Sequence, residues 1–466
     1  MSFIFIDVIL NHFIMKLTFF GGAGTVTGSK ILLEVNYKKI MIDCGLFQGL
    51  KELRVKNWEN VPSEFKELDL VILTHAHLDH TGYLPILVKN GYSGKIYCTK
   101  PTKDLTEIIL LDSAKIQEED ARRANEHHYT KHNPAKPLYD VDDAKHTMTH
   151  FKTFELDTWN VIDDQIKFKF VNSGHILGSA FVILDVNGKI IVFSGDIGRK
   201  EPILLYPFEY LEKADYLVVE STYGNRNHTD FSITELLLKY INITYNKGGI
   251  LVIPTFSVER AQEIIYLLSL LKRDHKLPNI PIFLDSPMGV NATEVYFKYR
   301  DRHKLSDTDI KSMLSTVHLI TEINASKMIV NNKDPKIVLA GSGMITGGRV
   351  LHYLDKLISD KKNSVLIVGF QAEGTRGRAL LAGDDEIKFF GEYHKVNAEI
   401  FKINEFSGHA DQSELLDWLK HFKEPPKLTL INHGEPHQSQ AFKTKIKTVL
   451  NWNCTVAKPN NTYYLD

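Results

Sequence analysis

From residue 15 onward, short apolar runs are repeatedly cut off by Gly, Asp, Asn and Ser. The runs at 16–20, 29–35, 39–42 and 70–73 predict β-strands, the first three joined by hairpin-like links. Between 102 and 125, Leu105, Ile108, Ile109 and Ala114 recur at helical spacing among charged residues, which predicts a helix. The polar stretch 127–136, with His127, His128 and His132, predicts a loop near a site entrance; its histidines follow no strand end. From about 224 to 406 the rhythm changes to strand, small polar turn, helix. Runs at 250–253, 282–284, 337–340 and 365–368 alternate with helical patterns, which predicts a parallel, doubly wound sheet. Such sheets take ligands beyond the carboxyl ends of their strands, where helix N-termini offer free N–H groups to phosphates. Thr255, Ser286, Ser342 and Gly343 fall at those ends and are candidate substrate contacts, although ordinary turn chemistry explains each one singly. After 406 the first pattern returns. Asp411 and Glu414 form a capping box for a helix to about 422, and a run at 428–431 ends in Asn432-His433-Gly434.

This gives an arm at 1–14 with no readable role, a first domain part at 15–223, an inserted α/β region at 224–406 and a returning part at 407–466. The length of 466 residues fits more than one core. A formal net charge of −1 supplies no global basic field, so an anionic polymer would have to be held by a local groove. The three cysteines, Cys44, Cys98 and Cys454, are odd in number and scattered, as in a reducing compartment; a cytoplasmic location is expected. No apolar run reaches membrane-span length, so no membrane partner is expected. The segment 3–10 carries Asp7 and lacks the flanks of a signal peptide.

Chemistry concentrates at strand ends. The run 39–42 ends at Asp43, and 70–73 leads into His75-Ala76-His77-Leu78-Asp79-His80. The run 166–171 ends at Ser173-Gly174-His175, 190–193 at Ser194-Gly195-Asp196, 216–219 at Glu220 and 428–431 at His433. If these strands share one direction, their terminal groups converge on one rim. Imidazole and carboxylate suit zinc. One set of ligands is His75, His77 and His175; a second is Asp79, His80 and His433, with Asp196 able to bridge them. Two such ions would each keep a position open and would generate hydroxide at neutral pH. Asp43 is expected behind the ligands, orienting the cluster.

These motifs, in this order, resemble the metallo-β-lactamase superfamily. Glu220 in Val-Val-Glu-Ser-Thr-Tyr-Gly, His409 in Ser-Gly-His-Ala-Asp and His433 in Asn-His-Gly-Glu narrow the resemblance to its β-CASP branch of nucleases. So do Ser286-Pro287-Met288, Gly341-Ser342-Gly343-Met344 and the segment from Gln371 to Arg376. Within that branch the chain is similar to the endonuclease subunit of the cleavage and polyadenylation specificity factor and its short prokaryotic homologues. The resemblance implies a four-layer αββα sandwich with an inserted α/β cap, two Zn2+ ions and single-stranded RNA in the cleft between the two units. It implies cleavage by a metal-bound hydroxide, with His409, oriented by Glu220, protonating the leaving 3′-oxygen. The products would be 5′-phosphate and 3′-hydroxyl ends, and Asp43 and Asp79 complete the expected catalytic set. His at position 433 is the residue found in RNA-directed members. Arg260, Arg349, Arg376 and Arg378 are candidate phosphate contacts, since Arg suits bidentate phosphate binding. The alternatives are a small-molecule (thio)ester or lactam hydrolase of the same superfamily and a DNA nuclease. The resemblance also makes a homodimer a candidate assembly. It leaves endonucleolytic and 5′-exonucleolytic cleavage both open.

Overall fold

The computed structural model describes residues 15–35, 37–127, 132–228, 232–403 and 406–466. The arm expected at 1–14 and His128 lie outside them. Among the described residues, two seven-stranded sheets form the body. The first runs, in spatial order, Thr462–Leu465, Met15–Gly21, Lys30–Val35, Lys38–Ile42, Leu70–Ile72, Lys95–Thr99 and Phe151–Phe154. The second runs Cys454–Val456, Leu428–Ile431, Tyr216–Val219, Lys189–Phe193, Ala180–Val186, Ile166–Asn172 and Asn160–Val161.

The period-two pattern explains the sandwich. Leu17, Phe19, Leu33 and Ile40 of one sheet meet Phe168, Phe170, Val182, Leu184 and Phe193 of the other in one buried core. The alternate residues face outward and are also buried, under helices. Leu32, Met41 and Val71 pack beneath Leu84, Leu87 and Leu110. Phe181, Val192 and Leu217 pack beneath Leu415, Trp418 and Phe442. The result is the four-layer αββα arrangement that the resemblance implied.

The direction of the strands is what builds the site. Lys38–Ile42 and Leu70–Ile72 are parallel neighbours. In the second sheet, Lys189–Phe193, Tyr216–Val219 and Leu428–Ile431 run parallel, and Ile166–Asn172 joins that direction through two antiparallel pairings. All the strand ends that carry candidate ligands therefore open on the same rim. The strand at 70 ends one residue before the predicted 73, and the helix predicted over 102–125 extends over Lys100–His127, taking in the first residue of the expected loop.

The inserted region forms a six-stranded parallel sheet in the order His318–Ile320, Ile282–Asp285, Lys336–Ala340, Ile250–Pro254, Ser364–Val368 and Glu399–Ile403. The four runs read from the sequence form its centre. Its flanking strands are short or half-exposed, which is why their patterns were weak. The insertion leaves after Val219 and returns to a strand that pairs directly with Tyr216–Val219, with Val219 opposite Ile431. On one side the two units are fused by apolar packing. Ala76, Leu105, Ile109, Leu204 and Leu205 share a buried cluster with Val290, Tyr296 and other residues of the insertion. Lys298 and the Tyr299 hydroxyl both bond Asp104 there, at 2.6 and 2.8 Å.

Candidate active site

The turn after Leu70–Ile72 is gripped by main chain from two neighbouring loops. Ser29 N–H donates to Asp79 O, Cys44 N–H to His80 O and Leu46 N–H to Leu78 O, at 2.8, 2.7 and 3.1 Å. Gly45 must be glycine, because a Cβ there would lie 1.6 Å from Asp79 O. The turn thereby presents His75, His77, Asp79 and His80 inward rather than to solvent.

Hydrogen bonds then fix which ring nitrogen His75, His80 and His175 offer. His80 Nδ1–H donates to Asp43 Oδ2 at 2.7 Å. His175 Nδ1–H donates to Gly408 O at 3.0 Å. His75 Nδ1–H donates to Thr74 Oγ1 at 3.0 Å, and that hydroxyl donates in turn to Asp43 Oδ2 at 2.9 Å. Oxygens that accept these protons leave each Nε2 bare, the form that binds a metal. Asp43 sits at φ 59° and also accepts the Thr74 backbone N–H at 2.8 Å, so one buried carboxylate braces two of the histidines.

The bare atoms fall into two groups. His75 Nε2 and His175 Nε2 lie 3.1 and 3.2 Å from His77 Nδ1, and both lie 3.4 Å from Asp196 Oδ2. A tetrahedral ion with bonds of about 2.0–2.1 Å spaces its ligands roughly 3.3 Å apart, so these four atoms fit such an ion. In the second group, His80 Nε2 and His433 Nε2 each lie 3.5 Å from Asp196 Oδ1 and 3.6 and 3.7 Å from Asp79 Oδ2. His80 Nε2 and Asp196 Oδ1 are buried with no hydrogen-bond partner among the described residues. Unpaired buried polar atoms are costly, and a cation between them removes that cost. Asp196 thus turns one oxygen to each group. All seven residues named from the sequence converge as a pair of metal-capable sets.

The electrostatics agree. Burial, then the neighbouring charges of His409 and Arg260, lowers His77 to about 3, and burial lowers His433 to about 4. Burial likewise holds His75, His80 and His175 far below the usual imidazole range. The rings are therefore neutral at neutral pH and free to donate a lone pair. Burial pushes Asp43 up to about 8, against the Thr74 bonds, pushes Asp79 up to about 7, and raises Asp196 well above its ordinary value. Acids this reluctant to ionise call for a positive charge among them.

Glu220 and His409 stand beside these sets. His409 Nδ1–H donates to Glu220 Oε1 at 3.2 Å and lies 4.0 Å from Asp196 Oδ2. Glu220 is further held by the N–H groups of Ile197 and Thr222, at 2.6 and 3.2 Å. Burial opposes its charge, yet His409 and Thr222 together keep its carboxyl below the ordinary range.

The cap contacts expected from the sequence are built differently. The turns at Thr255, Ser286 and Ser342 do converge: Ser257 Oγ and Ser286 Oγ are 3.0 Å apart beside Gly341. Thr255 and Ser286 are buried; the Thr255 hydroxyl donates to Phe256 O, and Ser286 caps the helix Pro287–Lys298. Gly343 allows close approach of the Phe256 ring, and Ser342 Oγ accepts the Thr346 N–H. The guanidinium of Arg376 donates to the carbonyls of Lys388, Ile345 and Thr346, at 2.7, 3.2 and 3.4 Å. Arg260 pairs with Glu263, Arg349 with Asp285 and Arg378 with Glu373. Arg260, Arg349 and Arg376 act as internal struts, because carbonyls and carboxylates of the cap reach them first, whereas Arg378 and Glu373 form a half-exposed surface pair. Thr74 and the carbonyl of Gly408 were not foreseen. The only hint of Thr74 was its place directly before the His cluster, and a backbone carbonyl carries no sequence signal.

No helix among the described residues is long and apolar enough to cross a membrane. Three family models match the chain. A metallo-beta-lactamase superfamily domain covers residues 32–215, a Beta-Casp domain 261–380 and a Zn-dependent metallo-hydrolase RNA specificity domain 393–457. The chain is 36% identical to Ribonuclease TTHA0252 of Thermus thermophilus, over 92% of this chain and 95% of that protein. It is 35% identical to an RNase J-like protein of Methanocaldococcus jannaschii, again over 92% and 95%. Transcription termination factor FttA of the same archaeon is 30% identical over 94% of this chain and 70% of its own length. In fold, the chain resembles the crystal structure of a protein of unknown function from Enterococcus faecalis V583. The TM-score is 0.53 at 12% identity, covering 97% of this chain and all of that one.

Proposed function

Because this chain belongs to the β-CASP branch of the metallo-β-lactamase superfamily, we propose that it is a zinc-dependent ribonuclease. It hydrolyses single-stranded RNA in the cytoplasm, in RNA processing or decay, and leaves 5′-phosphate and 3′-hydroxyl ends. Residues 15–223 and 407–466 carry the chemistry, and 224–406 forms the cap over the cleft. His75, His77, His175 and Asp196 would hold one ion; Asp79, His80, His433 and Asp196 would hold the other. Bound there, two divalent ions would supply Lewis-acid contacts to phosphate oxygens and lower the pKa of water so that it could attack at neutral pH.

The observation that carries the reading is the His409–Glu220 pair. It lies against the bridging Asp196 yet belongs to neither ligand set. With Asp196 the pair could itself face a cation, but the two other sets are complete without it, and its members are bonded to each other. Glu220 fixes the His409 ring through Nδ1, which leaves Nε2 facing away from it to deliver a proton. Water joins its oxygen to phosphorus and gives up a proton to solvent while the P–O3′ bond breaks and His409 protonates the departing 3′-oxygen. Asp43 and Thr74 keep His75 and His80 oriented throughout, and the cap limits access from one side.

The test is cleavage of a labelled single-stranded RNA and its DNA equivalent by metal-loaded wild type and His409→Ala, with metal content measured for both. RNA cleavage lost in a variant that keeps its metals supports the mechanism. A fully metallated wild type that cuts neither strand overturns it.

A further inference from the structure

Apart from the apolar weld, the two units touch again where the loop after Lys38–Ile42 meets the segment around Glu373. Gly49, at φ 79°, approaches Glu373 O so closely that a Cβ would lie 2.8 Å from it. Gly374, at φ 76°, lies against Leu50 in the same way. Beyond this crossing the chain forms a short protrusion made of the helix Lys51–Val55 and the turn Lys56–Trp58. Asn57 makes it rigid. Its buried side chain accepts the Phe47 N–H at 3.0 Å and donates to Phe47 O at 2.8 Å, which closes the loop on itself.

The surface of this protrusion is unusual for a chain of net charge −1. Lys51, Arg54 and Lys56 are exposed, and none forms an ion pair with a carboxylate among the described residues. Glu52 and Glu59 share the segment but do not pair with these cations. Lys56 Nζ sits 5.5 Å from the centre of the Phe47 ring, and that ring abuts Gly28 in the loop bordering the metal turn. Across the crossing, Arg54 lies near enough to Arg376 for their charges to repel. Trp58 is 60% exposed, with Leu50 and Val55 also open to solvent. Cations left out of ion pairs beside an open aromatic face suit a polyanion with stackable rings.

We propose that Lys51, Arg54, Lys56 and Trp58 form a shelf at this mouth of the cleft that receives single-stranded RNA. Lys51, Arg54 and Lys56 take backbone phosphates, and Trp58 stacks on a base. Lys51 and Arg54 lie one helical turn apart, so both face the same way. The shelf reads no sequence, because cations and a π-face accept every nucleotide. It would govern how long an RNA must be to bind well. The inference rests on RNA being the substrate.

The experiment compares wild type, the triple variant Lys51→Ala/Arg54→Ala/Lys56→Ala, Trp58→Ala and Trp58→Phe. The probes are a 20-nucleotide single-stranded RNA and the small diester bis(p-nitrophenyl) phosphate. RNA affinity is followed by anisotropy across a salt series, and KM and kcat by cleavage. The triple variant should bind the RNA on the order of tenfold more weakly at low salt, with its salt slope shallower by about 2. It should raise KM for RNA far more than it lowers kcat. Trp58→Ala should weaken RNA binding on the order of tenfold, and Trp58→Phe should restore most of it. In both weakened variants the ratio of RNA to diester hydrolysis should fall. Unchanged affinity and salt slope in the triple variant, with wild type binding RNA, would overturn the shelf and leave the ribonuclease reading standing. A wild type that hydrolyses the diester but neither binds nor cuts RNA would overturn both.

Discussion

His409 and Asp43 show how two buried contacts serve different ends. His409 packs its ring against that of His175 but spends its Nδ1–H on Glu220 and completes neither ligand set, so its removal should leave the metals in place. Because a positioned acid contributes about 10²–10⁴ in rate, His409→Ala should slow RNA cleavage by that range with metal content unchanged. Single-turnover kinetics alongside elemental analysis checks this; loss of metal with the activity would place His409 among the ligands. Asp43 does the reverse. It braces His80 directly and His75 through Thr74, and is itself buried. Asp43→Asn keeps the shape but loses the charge that accepts the His80 proton. Metal affinity should fall by about 10–100-fold, as for other residues that orient ligands, and excess metal should restore most of the activity. Competition with a coloured chelator measures the first effect, and a metal titration of the rate measures the second.

At the scale of elements, the site depends on how tightly the loops around the metal turn are pressed together. Gly45 lets the loop after Lys38–Ile42 lie directly against Asp79 O. Gly45→Ala would push the turn away, and Asp79 and His80 would move with it, while His75, on the side nearer the strand, stays anchored to Thr74. The variant should therefore drop toward one bound metal per chain before it unfolds, a change that mass spectrometry under native conditions can count. Much of this element-level plan was legible in the sequence. Each apolar run that ended in Asp43, His75, His175, Asp196, Glu220 or His433 became a strand of the required direction, because buried strands and their polar ends leave a contrast that needs no partner to read. The roles of Arg376 and Gly408 were illegible for the opposite reason. Arg376 looked like a free cation suited to phosphate, yet it is spent on the carbonyls of Ile345, Thr346 and Lys388, which only the folded cap brings near. The Gly408 carbonyl orients His175 across the whole insertion, and any residue there would offer the same oxygen.

For the whole molecule, the metal sites tie folding stability to pH. His77 and His433, lowered to about 3 and about 4, add stability that is present above their unfolded value near 6.5 and lost as pH falls through those folded values. Asp43 and Asp79, raised to about 8 and about 7, act in the opposite sense. Their contribution is complete below the unfolded value near 3.8 and is lost as pH rises through 7 to 8, because the fold then has to hold their negative charge in a buried place. Bound cations remove that second penalty by neutralising the charge. Metal must also displace any proton still held by the carboxyl groups, so its affinity grows with pH up to about those values. Two consequences follow for a thermal melt. Chelated protein should become less stable between pH 6 and pH 8, and the gap in Tm between metal-loaded and chelated protein should widen over the same interval. Calorimetry of both forms at pH 6, 7 and 8 tests this. A gap that stays constant would mean that the carboxyl groups are already ionised at pH 6, and that something other than bound metal compensates their burial at the rim of the strands.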